Sequence, residues 1–197
     1  MRYLIVCGGK TDKEFGLNEI KTDGIDAIIA ADSGMDFLYE NGVTPDIIVG
    51  DFDSATTKAL EFFERKGQTE IHRLNPIKDD TDTEYAIRLA IREGARSIVM
   101  LGATGSRIDH VLGNISLLGI GLESGTDISI IDTNNRIRMA DKPVTIEKSA
   151  QYGRFVSLIA VTDDNEVSLR GFKYPVTDYS FDRFTSLGIS NEIIDDH

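Results

Sequence analysis

A chain of 197 residues has room for one large or two small domains, and 41% hydrophobic with 27% charged residues is the balance of a folded protein, not a disordered one. A formal net charge of −12 disfavours nucleic acid and anionic membrane surfaces, which are bound through lysine and arginine. No apolar run approaches the roughly 18 residues that a membrane span requires.

The opening MRYLIVCGGK has a short apolar centre and no small-residue cleavage site, so it reads as a first strand over 3–7 and not as a signal peptide. Cys7 is the single cysteine; it can form no internal disulfide, fits a reducing cytoplasm and is expected to be an inert buried thiol. AIIAA (27–31) and DIIV (46–49) are the next strands, with helix patterns over 34–42 and 57–67 after them. EIHRL (70–74) precedes a helix over 82–95, which Thr81 and Glu84 introduce as a T-x-x-E capping box. SIVML (97–101), a helix over 110–122 and DISII (127–131) complete the alternation. Nearly continuous apolar strands alternating with helices imply a mainly parallel sheet covered on both faces.

After Asp132 the helical periodicity stops. RIRMA, VTIE, FVSLIAV, EVSLRG and ISNEII follow as short strand-like pieces separated by Gly, Pro, Asp and Asn. The expected fold class is therefore α/β: a Rossmann-like, mostly parallel α/β domain over 1–132, then a small all-β domain, a sandwich or a barrel, over 133–197. A β domain of that size is marginal alone and is expected to lean on the first domain or on another subunit.

In open α/β sheets, ligands bind beyond the carboxyl ends of the strands. Every unusual polar motif falls at such an end. CGGK with Gly9 follows the first strand, ADSG with Asp32 and Ser33 the second, and GDFDS with Asp51 and Asp53 the third. PIKDDTD follows the fourth with Lys78, Asp79, Thr81 and Asp82; GATGSRIDH follows the fifth with Gly102, Thr104, Gly105, Arg107 and Asp109. Taken alone, Asp51 and Asp53 are also ordinary Asx-turn residues. Taken together, carboxylates without matching local cations call for a metal, and hard oxygen ligands indicate Mg²⁺ or Ca²⁺. The glycines let backbone N–H groups approach phosphates, although they also serve plain turns. Lys78 and Arg107 are placed to meet phosphate charge or to form surface ion pairs; Asp109 is equally suited to capping the next helix. No Walker loop or dinucleotide fingerprint occurs, and His72, His110 and His197 show no zinc spacing. These residues describe a Mg²⁺-dependent phosphoryl- or diphosphoryl-transfer enzyme without naming its acceptor.

AADSGMDFL, TPDIIVGDFDS, KDDTDTEYAI and GATGSRIDHVLGN, followed by GFKYPV and SLGISNE, resemble the motifs of the thiamine pyrophosphokinase family over nearly the whole chain. The resemblance implies a homodimer, each subunit pairing an α/β catalytic domain with a β-sandwich domain. It implies transfer of diphosphate from ATP to the hydroxyethyl group of thiamine, giving thiamine diphosphate and AMP. Asp51, Asp53 and Asp82 would hold Mg²⁺ on the ATP phosphates, with Asp79 nearby. Thr81, Arg107 and Asp109 would help position nucleotide and acceptor. Ser190 and Asn191, with Ser186 beside them, would contribute to the thiamine pocket across the dimer interface. Two competing readings are a diphosphokinase acting on another small alcohol, such as a hydroxymethyl pterin, and a non-catalytic nucleotide or thiamine sensor.

Overall fold

The computed structural model describes residues 1–52, 56–75, 77, 80–105, 107–163 and 165–195. The chain divides into two compact units, Met1–Asp141 and Lys142–His197.

The first unit is built on a seven-stranded sheet. Its strands are β1 (Arg2–Val6), β2 (Ala27–Ala31), β3 (Ile47–Gly50), β4 (Glu70–Arg73), β5 (Ser97–Leu101), β6 (Asp127–Ile131) and β7 (Arg136–Arg138), arranged β4-β3-β2-β1-β5-β6-β7. All neighbours are parallel except β6 and β7. The helices are α1 (Lys13–Ile20), α2 (Gly34–Glu40), α3 (Thr57–Lys66), α4 (Asp82–Arg92) and α5 (Ile108–Ser124).

The apolar runs are continuous because both sheet faces are covered. Tyr3, Ile5, Ile98 and Met100 point to one face, where they meet Ala86, Ile87 and Ala90 of α4 and Leu118 of α5. Leu4, Val6, Val99 and Leu101 point to the other and meet Met35 and Leu38 of α2 and Ala59 and Phe63 of α3. Cys7 is buried just beyond β1; burial pushes its thiol up to about 12, against a small opposing effect of the Thr83 hydroxyl at 3.8 Å. Native protein at pH 8 is accordingly expected to resist an aromatic disulfide reagent over hours and to react at one equivalent only after denaturant is added. Rapid labelling of the folded chain would contradict this burial.

Four differences from the sequence expectations have physical causes. Helix α1 lacks the strong apolar stripe that periodicity detects, and of its residues only Gly16 is buried. It holds by its cap, where Asp12 accepts from Phe15 N at 2.9 Å, and by Phe15 and Ile20 packing on the core. Strand β7, grouped by sequence with the small β domain, is the antiparallel edge of the first sheet. Asp132 turns the chain there, its Oδ1 accepting from Asn134 N at 2.7 Å and Asn135 N at 2.8 Å. In the second unit the strands are β8 (Asn165–Leu169) and β9 (Val176–Phe181), an antiparallel pair with an irregularity between Val167 and Leu169. The sequence expected β8 within EVSLRG but missed β9, whose alternation is interrupted by Asp178 at φ 47°.

The fourth difference is that VTIE, FVSLIAV and ISNEII form no strands of regular length. Segments 155–158 and 188–191 instead exchange a few ladder bonds, Val156 N to Asn191 O and Asn191 N to Val156 O at 2.9 Å and Leu158 N to Gly188 O at 2.8 Å. Phe155, Ile159 and Val161 stay 54, 75 and 56% exposed, so this run lacks the buried face that would hold a longer register.

Candidate active site

Strand order reverses at β1, with β2 on one side and β5 on the other, so a crevice is expected at the carboxyl ends of these strands. Asp32 follows β2 directly. Its backbone takes the left-handed conformation (φ 47°), which aspartate tolerates better than most residues, and its N–H donates to Val49 O at 2.7 Å. Asp51 follows β3, and Asp82 is the first residue of α4. One carboxylate oxygen from each of Asp32, Asp51 and Asp82 lies within 4.8 Å of the others, and all three are half-buried. Three anions at this separation disfavour one another, and an oxygen-only donor set of this size suits a small hard cation such as Mg²⁺.

Asp51 and Asp82 thus stand together, and Asp32, placed by sequence at the end of the second strand, joins them. The signal for Asp32 was present: a carboxylate immediately after an apolar strand, next to the strand that ends in Asp51. Asp53, Lys78 and Asp79 lie outside the described residues. Thr81 caps α4, its Oγ1 accepting from Glu84 N at 3.2 Å. The Glu84 carboxylate turns instead to Arg88, accepting from Nη2 at 2.7 Å and Nε at 2.9 Å.

At the carboxyl ends of β1, β5 and β6 on the same sheet is an open cavity of ≈ 490 Å³. Lys10, Thr11, Phe15, Gly102, Thr104 and Asp132 are among its walls. Gly102, one of these walls, interlocks with Gly9: Gly9 N donates to Gly102 O at 2.9 Å, and a Cβ on Gly9 would lie 2.2 Å from that oxygen. Gly102 itself has φ 67°, which a side chain would strain. A Cβ on Gly105 would lie 3.2 Å from the Gly9 Cα, and Ser33, at the start of α2, faces Gly8. Thr104 Oγ1 donates to Asp132 Oδ2 at 2.7 Å. Burial pushes the Asp132 carboxyl up, but the bonds from Thr104, Asn134 and Asn135 outweigh it and hold the group below the usual carboxylate range.

Arg107 and Asp109 are present on the rim as an exposed pair, Nη2 to Oδ2 at 2.7 Å. The N-cap of α5 is Arg107, not Asp109; the Asp109 carboxylate lies in the first turn and accepts from His110 N at 2.9 Å. The Arg107 guanidinium, with the His110 N–H, holds Asp109 below its ordinary pKa.

In the second unit, Ser186 and Ser190 are exposed, and Ser190 is held at φ 62° with its N–H donating to Ser157 Oγ at 3.0 Å. Asn191 is different: it is buried, and its amide is spent on the chain itself. Nδ2 donates to Tyr174 O at 2.8 Å, and Oδ1 accepts from Tyr174 N at 3.1 Å and Glu192 N at 2.9 Å. This ties the GFKYPV segment to the SNE segment. Gly188 serves close backbone packing, since a Cβ there would lie 2.3 Å from Leu158 O.

Fold and rim together define an α/β domain that gathers three carboxylates at the carboxyl edge of its parallel strands. The family model "Thiamin pyrophosphokinase, catalytic domain" matches residues 21–130, and "Thiamin pyrophosphokinase, vitamin B1 binding domain" matches 143–197. A thiamine pyrophosphokinase of Bacillus subtilis is 36% identical over 168 residues, which is 84% of this chain and 78% of that protein. The crystal structure of thiamine pyrophosphokinase from Bacillus subtilis aligns with a TM-score of 0.87 at 33% identity, covering 100% of this chain and 91% of the other. That of the Geobacillus thermodenitrificans protein aligns at 0.81 and 30% identity, covering 100% and 90%. The chain belongs to the thiamin pyrophosphokinase family.

Proposed function

We propose that this chain transfers the diphosphate of ATP to the hydroxyethyl group of thiamine, giving thiamine diphosphate and AMP. The observation that carries this reading is the Asp32, Asp51 and Asp82 cluster on the rim of the domain that matches the catalytic family model. Transfer of this kind is mostly positioning and charge neutralisation. Asp51 and Asp82, with Asp32 and, from the sequence, Asp53, would hold Mg²⁺, which would supply the positive charge that the triphosphate needs. The residues beside it orient the donor. The interlocked Gly9 and Gly102 leave room for close approach to the backbone, and Arg107 reaches phosphate by leaving its exposed partner Asp109. Lys78 and Asp79 complete this side of the site in the sequence reading. Ser186 and Ser190 contact the acceptor, while Asn191 holds the segment that carries them.

The protein works as a homodimer in this reading. Phe155, Ile159, Phe184 and Leu187 are 54, 75, 87 and 57% exposed, more apolar surface than so small a unit presents without a partner. No helix among the described residues is long and apolar enough to cross a membrane. The lone buried cysteine and the acidic balance fit a cytoplasmic enzyme that binds no nucleic acid.

The test is acceptor dependence. Purified protein with ATP and Mg²⁺ is expected to release AMP when thiamine is added and to release almost none without it. Release supported by a hydroxymethyl pterin but not by thiamine would overturn the acceptor assignment.

A further inference from the structure

Thr56 is the N-cap residue of α3, yet its hydroxyl makes no capping bond to that helix. It donates instead to Asp36 Oδ1 on α2, and the Thr56 N–H also reaches the Asp36 carboxylate, at 3.2 Å from Oδ2 and 3.3 Å from Oδ1. A threonine at an N-cap ordinarily spends its oxygen on the helix it begins. Here that stabilisation is given up for a tie between two helices.

The position of the tie explains its use. Asp36 lies in the first turn of α2, the helix that begins directly after Asp32 and Ser33, and its N–H donates to Ser33 O at 3.0 Å. Thr56 ends the β3–α3 connection, which begins at Asp51. At the near end, on either side of Asp51, Leu74 N donates to Gly50 O at 2.9 Å, and the Phe52 ring lies under the Arg73 guanidinium, 5.4 Å from its centroid. The Asp36–Thr56 contact secures the far end, and it does so to the helix that begins two residues after Asp32. Helix packing does not need it. Tyr39 of α2 meets Phe62 and Phe63 of α3 with ring centroids 5.1 and 6.4 Å apart, and Leu38 and Ala59 are buried in the same core cluster.

We propose that Asp36 is a positioning residue for the metal-binding carboxylates: by holding Thr56 it sets the placing of Asp51 relative to Asp32, and through that the affinity for a divalent cation. The inference rests on the metal reading of those carboxylates given above. Groups that hold ligands in place without touching the metal typically matter by 10–100-fold in affinity.

The test is Mn²⁺ binding to the nucleotide-free full chain, followed by the loss of the free-ion electron paramagnetic resonance signal. Asp36→Ala and Thr56→Val are each expected to raise the Mn²⁺ Kd about tenfold, and the double variant no more than either alone, because both break one contact. Thr56→Ser keeps the hydroxyl and is expected to bind as the unaltered chain does. Asp36→Asn keeps the shape and one acceptor, and is expected to fall between. Melting temperatures should stay within about 3 °C, since apolar packing holds the helices together. An Asp36→Ala Kd within twofold of the unaltered chain would overturn the proposal, as would additive effects of the two substitutions. An unaltered chain that binds no Mn²⁺ would overturn the metal reading itself, and the acceptor-dependent release of AMP tests that reading separately.

Discussion

Replacing Asp51 with asparagine is expected to lower the rate of AMP release at least about 100-fold, because the group that would hold the cation on the phosphates loses its charge. Volume barely changes, so the fold should stay intact. Three carboxylates share oxygens within 4.8 Å, and removing one anion relieves their repulsion in the metal-free state. The melting temperature without metal should therefore hold or rise slightly, and the gain in melting temperature on adding Mg²⁺ should shrink. Asp82→Asn should cost activity to a similar extent. It differs in stability, since Asp82 also lies in the first turn of α4, where a negative charge contributes about 0.3–1 kcal/mol against the helix dipole. Turnover within a few-fold of normal at saturating Mg²⁺ in either variant would remove these residues from the metal site.

Gly34→Ala is expected to destabilise the first unit by about 3 kcal/mol, the upper end of the range for overpacking a well-filled core. Gly34 begins α2 at the point where the helix abuts the end of β1. A Cβ there would lie 1.9 Å from Val6 O and 2.7 Å from Val6 C, both backbone atoms of a central strand that cannot give way. The start of α2 has to move instead, and Asp32 and Ser33 immediately before it move too. For a chain of this length the loss corresponds to roughly 10 °C in melting temperature. Activity should fall further than stability explains, measured at a temperature where the variant is still folded. Gly42→Ala is the control for backbone effects alone: its φ is 69°, but nothing lies within 4 Å of the added carbon. A Gly34→Ala protein as stable as that control would show that α2 has slack against β1.

Most of the first unit was legible in the sequence because both of its signals are strong there. Apolar runs such as SIVML and AIIAA are buried on two faces, and the helices between them end in recognisable caps. The carboxylates were legible as chemistry because aspartate at a strand end has few structural reasons to recur. What escaped depended on tertiary contact. Helix α1 is held by its cap and by packing, not by a stripe. Strand β7 is too short to announce which sheet it joins, and only the Asp132 turn sends it back along β6. Asp32 could not be grouped with Asp51 and Asp82 until β2 and β3 were known to be neighbours. Asn191 was expected to face a ligand, and sequence spacing cannot reveal that its buried amide holds Tyr174. Asp36 gave no signal at all, since a carboxylate in the first turn of a helix is ordinary.

The central claim is that the rim of the first unit moves a diphosphate, not a single phosphoryl group. Chromatographic analysis of the nucleotides in a reaction with ATP, Mg²⁺ and thiamine tests it most directly. AMP rising in step with thiamine diphosphate, one for one, with no ADP formed, is the result this account predicts. ADP appearing in step with a singly phosphorylated thiamine would contradict it.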